Sequence, residues 1–171
     1  PASAQADPAD AAPPVPFGGT SSDLGLPPEK LDIMPFMASD LRETIAATPA
    51  ALDMAVSPGR REEAADRLAE IAASLRSTAE FFAFEELIEV CDVFQRAGSA
   101  LIGIPEPSIP ALLPRLQALH ALAEAFAEGL DHQARYTWPT AELIERIDAL
   151  LVGDVPDDAL ILPENATPEE A

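Results

Sequence analysis

The sequence holds few of the residues that build chemical sites. Cysteine occurs once in 171 residues, at Cys91, so the chain has no internal disulfide and fits a reducing compartment. Tryptophan and tyrosine occur once each, histidine twice, and aromatic residues make up 5%. Basic residues are scarce as well: 10 Lys and Arg stand against 30 Asp and Glu, a formal net charge of −20. Binding phosphates takes Lys and Arg to displace counterions, so this balance argues against nucleic acid and equally against an anionic membrane surface. No apolar run approaches the ~18 residues of a membrane span, and no charged-then-apolar leader opens the chain. Its first residue is Pro1, which reads as a cut from a longer or processed protein. The expected location is cytoplasmic. No glycine-rich phosphate loop, no nucleophile beside a base and no His or Cys at ligand spacing is visible, so neither cofactor nor metal is expected.

What is present is apolar and helical. Hydrophobic residues make up 48%, much of it the strong helix formers Ala and Leu. Amphipathic patterns cover roughly residues 35–55, 60–82, 84–100, 110–130 and 139–152. The first carries Phe36, Leu41, Ile45, Leu52 and Val56 at helical spacing, with a kink or restart at Pro49. The last is capped by Thr137, and Tyr136 and Trp138 anchor it on the bundle, although an exposed Trp there would suit an interface. The breaks "SPGRR" and "GIPEPSIP" are short enough to force neighbouring helices antiparallel. The expected fold is all-α: an antiparallel up-down four-helix bundle with an additional short C-terminal helix, over residues 31–155. Residues 1–30, rich in Pro and Ala, read as a disordered linker, and residues 156–171 as an acidic flexible tail.

Within residues 60–82, Leu68, Ile71, Ala72, Leu75, Ala79 and Phe82 fall on one stripe and belong in the core. Ala73 lies roughly 150° from the centre of that stripe. Its outer-face neighbours are Ala69, Arg76 and Ser77, with Asp66, Glu70 and Glu80 nearby. In residues 84–100, Phe84, Leu87, Ile88, Cys91 and Phe94 form the complementary buried stripe, and Glu85, Glu86 and Glu89 suit the positive end of a helix dipole.

The stretch "ASLRSTAEFFAFEEL", residues 73–87, resembles the motif of histidine phosphotransfer domains of the chemotaxis-type sensor kinase kind. Those domains carry a pattern like His-Ser-Leu-Lys-Gly-(Ser/Ala)-Ala-x-x-(Phe/Leu)-Gly-Phe-x-x-Leu across two helices. Ser74 and Leu75 stand where the motif has Ser and Leu, and Arg76 takes the lysine's place. Ala79, Phe82, Phe84 and Leu87 keep the remaining structural positions, while Ser77 and Ala83 replace its two glycines. The phosphoacceptor histidine falls on Ala73. The resemblance implies a four- or five-helix bundle of phosphorelay signalling whose partners are a response-regulator receiver domain or a histidine kinase. Alanine has no nucleophile, so the implied module is not an enzyme but a degenerate one that keeps a docking face at Ala69, Ala73, Arg76, Ser77, Glu80 and Ala83.

Two alternatives stand beside this reading. His120, in "LQALHALAEAF", is the best remaining phosphoacceptor, although it sits close to the core stripe of its helix. Otherwise the bundle is purely structural, a spacer or a homodimerisation module. Ser74, Ser77 and Thr78 have no adjacent base to activate them. His132 follows a helix terminus and reads as a cap. Cys91, on a buried stripe, reads as a small hydrophobe.

Overall fold

The structure, a computed structural model, describes residues 14–152. α1 (Pro28–Ala46) starts on a proline, whose fixed φ suits a first helical turn. Met34, Ala38, Leu41 and Ile45 form its buried face. Pro35 lies inside it on the exposed side and leaves the Leu31 carbonyl without its usual donor. α2 (Thr48–Val56) restarts at once, with Pro49 in its first turn. The Ala47 N–H turns back to the Thr44 and Ile45 carbonyls, which closes α1 and realises the expected restart.

Two expectations for this region are corrected. The helix begins at residue 28 rather than 35, and Phe36 and Val56, expected in the core, are 74% and 58% exposed. Phe36 lies about 140° around the helix from Leu41, so the two cannot share a buried face.

α3 (Arg61–Phe82) and α4 (Glu85–Ala100) form an antiparallel hairpin, since Arg76 meets Asp92 while Gly98 lies against Ala65 and Leu68. α5 (Ile109–Asp131) returns alongside. Glu106, just ahead of α5, pairs with buried Arg61, which also donates to the Ala55 carbonyl at 3.0 Å. Phe126 near the other end of α5 packs edge-on to Phe84, with 5.0 Å between centroids. Arg42 pairs with Asp131 to fasten α1 to α5. α6 (Ala141–Leu151) is held to α4 by Arg96 and Asp148 at 2.9 Å. Leu41, Leu68, Leu75, Leu87, Leu116, Phe84, Phe94 and Phe126 belong to one continuous core, where a fully buried side chain of this kind contributes about 1.5–3 kcal/mol. The class is the expected helical bundle, with one addition.

The addition is a two-stranded antiparallel sheet. β1 (Thr20–Asp23) pairs with β2 (Ala134–Thr137), Thr20 opposite Thr137, and their hydroxyl oxygens lie 2.9 Å apart. Residues 14–30 are thus ordered here, against the linker expectation, and Leu24 is buried in the core. Thr137 belongs to β2 and does not cap α6, whose N-cap is Thr140. Tyr136 and Trp138 tie down the N-terminal arm: the indole N–H donates to the Pro16 carbonyl at 2.8 Å. Gly19 is required there, because a Cβ would come within 2.4 Å of the indole. The expectations for residues 1–13 and 156–171 fall outside the described residues.

Candidate functional site

The outer face of α3 follows from its inner one. Leu68, Ile71, Ala72, Leu75, Ala79 and Phe82 are all buried, which turns Ala69, Ala73, Ser77 and Glu80 out to solvent. Ala73 sits at the crest. On one flank stands α1, where Thr44 Oγ1 lies 3.5 Å from Ser74 Oγ and the Lys30 amine donates to the Phe81 carbonyl. On the other flank stands α4. The site is a convex surface with small side chains at its centre. The clefts of about 690 and 800 Å³ are lined instead by the arm, α1 and α5.

Arg76, expected as the cation of this face, is half-buried and already engaged. Its Nε donates to Glu80 at 2.9 Å and its Nη1 to Asp92 on α4. The bond to Asp92, ahead of that to Glu80, pushes the guanidinium further up from its ordinary value. Asp92 was missed by sequence reasoning, although a signal existed. In a hairpin that turns at Phe84, residues equally far on either side face each other, and Arg76 and Asp92 are such a pair.

Ala83, at the edge of the face, has φ 59 and ψ 41, the left-handed region. Its N–H bonds to the Glu80 carbonyl at 3.2 Å and the Phe84 N–H reaches back to Ala79 at 2.8 Å. This is the pair of bonds that ends a helix on a left-handed residue, a position glycine usually fills. Arg135 from β2 donates to the Ala83 carbonyl at 3.1 Å and forks onto Glu86, which fixes the turn from outside. Phe82 and Phe84 stack beneath it, 5.4 Å apart. The structure therefore brings Ala69, Ala73, Arg76, Ser77 and Glu80 onto one face, with Ala83 at its end.

The remaining candidates lie elsewhere. His120 is on α5, its side chain 11% exposed, with Nε2 3.5 Å from Glu124. Its Nδ1 is buried with no hydrogen-bond partner among the described residues. Burial lowers its pKa, while Glu124 pulls the other way. Such an imidazole is poorly placed to meet another protein's active site. His132 ends α5 through its backbone N–H, bonded to the Gly129 carbonyl at 2.9 Å, and its ring is exposed. Cys91 is buried, which pushes its thiol up to about 12 and leaves it an inert hydrophobe. Among the described residues no helix is long and apolar enough to cross a membrane. No protein-family model matches the chain, and neither does any curated protein or solved structure.

Proposed function

We propose that this chain is a non-catalytic counterpart of a histidine phosphotransfer domain. It docks a response-regulator receiver domain or a sensor kinase, in two-component or chemotaxis-type signalling, through α3 and α4 around Ala73. The observation that carries the reading is Ala83. The resembling motif has glycine at that place, and here the backbone is left-handed, the conformation that favours glycine. A chance match of sequence has no reason to put its second glycine position on the left-handed residue that ends α3. The outward, small-residue setting of Ala73 supports the same register.

A phosphoacceptor histidine works when it is solvated, approachable and near a cation. This face offers approach without a nucleophile at its centre, and its cation is held by Asp92 and Glu80. The consequence is binding without transfer: competition with active phosphotransfer partners, scaffolding or localisation. The lone, buried Cys91 fits a cytoplasmic setting.

The test is to return the missing residue. The Ala73→His variant is expected to take up acid-labile phosphoryl label from a sensor kinase that phosphorylates such domains, where the natural chain takes up none at this position. Should Ala73→His stay unlabelled even when combined with Ser77→Gly and Ala83→Gly, the reading is wrong.

A further inference from the structure

α1 carries a strip of apolar side chains that the fold leaves uncovered. Phe36 is 74% exposed and Ile33 38%, and on neighbouring α3 Phe81 is 45% exposed. They are linked through Lys30, whose amine lies 4.6 Å from the centre of the Phe81 ring. Lys30, Ile33 and Phe36 follow one another three residues apart, each about 60° further around the helix. The strip thus winds from the flank of Phe81 to the outward side of α1. Single exposed apolar residues are ordinary, but an aromatic-rich run on one surface is the composition of interface anchors.

The charges around it say what fits. Glu29, Asp32, Asp40 and Glu43 border the strip on α1, and none has an ion pair among the described residues. The two cations of α1 are both engaged, Lys30 by the Phe81 carbonyl and ring and Arg42 by Asp131. We propose that the Ile33–Phe36–Phe81 strip is a second interaction surface, and that its occupant is a cationic amphipathic helix of a partner protein. Apolar side chains of that helix cover Phe36 and Ile33 while its Lys and Arg meet the four carboxylates. This surface lies on α1 and the last turn of α3, and the proposal does not depend on the reading of Ala73.

The probe is a fluorescein-labelled Leu–Lys peptide of about 15 residues, patterned as an amphipathic helix. A charge-matched Ala–Lys peptide reports electrostatic attraction alone. The full chain is expected to bind the Leu–Lys peptide about tenfold tighter by anisotropy, and Phe36→Ser or Ile33→Ser to abolish that preference. Both substitutions are on the surface, and circular dichroism checks that each variant is folded. A preference absent from the natural chain, or retained in both variants, overturns the proposal. Self-association in sedimentation that Phe36→Ser removes overturns it too, because the occupant is then a second copy.

Discussion

Ala83 holds a left-handed backbone with a side chain that disfavours it. For an L-residue with a Cβ that conformation costs about 1–2 kcal/mol, of which glycine's extra chain entropy takes back a part. Ala83→Gly is therefore expected to stabilise the domain by roughly 0.5–1 kcal/mol, read as a higher urea midpoint at unchanged slope. A lower midpoint would mean that the alanine methyl makes a contact worth more than the strain. His120 gives a second test at this scale. Its folded pKa lies below the ordinary 6.5, so as pH falls past about 6.5 the unfolded chain takes up the proton first and stability declines until the folded pKa is reached. The His120 contribution is present above that range and lost below it. Between about pH 7 and pH 5 the natural chain is expected to lose more stability than His120→Gln. Equal losses would show that the ring is not buried in the neutral form. Much at this scale was legible: the outward position of Ala73 follows from counting 100° steps, and the burial of Cys91 from its stripe. The pairing of Arg76 with Asp92 is legible only once the two helices are matched about the turn at Phe84, because it depends on which side chains face each other across the hairpin.

At the scale of elements, α3 and α4 set the geometry of the proposed docking face. Gly98 lets them approach: a Cβ there would lie 3.2 Å from the Ala65 carbonyl oxygen and 3.4 Å from Leu68 Cβ. The Ala65 carbonyl is fixed in its helix and cannot give way cheaply. Gly98→Val is expected to cost about 1–3 kcal/mol in chemical denaturation, although valine outranks glycine in helix propensity. An unchanged midpoint would show that the contact is loose. Helix existence was legible from periodicity, and α3, α4 and α5 begin and end within a residue or so of their expected bounds. α1 was not, because Pro35 reads as a start signal when it stands in fact on the exposed side of a helix already begun. Phe36 was then counted into the core, and its exposure is what gives the α1 strip its character.

At the scale of the whole molecule, the arm that precedes α1 shows what composition cannot reveal. Residues 20–23, Thr-Ser-Ser-Asp, have no local signal for a strand, and their partner β2 lies more than a hundred residues away in sequence. Only the folded bundle brings the two together, with Trp138 and Gly19 closing the joint. The −20 charge shapes what the assembled surface can meet, since partners bearing an acidic face are repelled unless cations intervene. The central claim is that the face around Ala73 docks a receiver domain or a sensor kinase although it carries no phosphoacceptor. Titration calorimetry of purified receiver domains and a sensor kinase with the full chain, beside Ala73→Glu, tests this most directly. Ala73 is exposed, so the substitution leaves the fold intact while it places a bulky charge at the centre of the face. The expected result is saturable binding of at least one of these proteins by the natural chain, weakened about tenfold or more in Ala73→Glu. Binding that Ala73→Glu leaves unchanged, or no binding of any receiver domain or kinase, contradicts the claim.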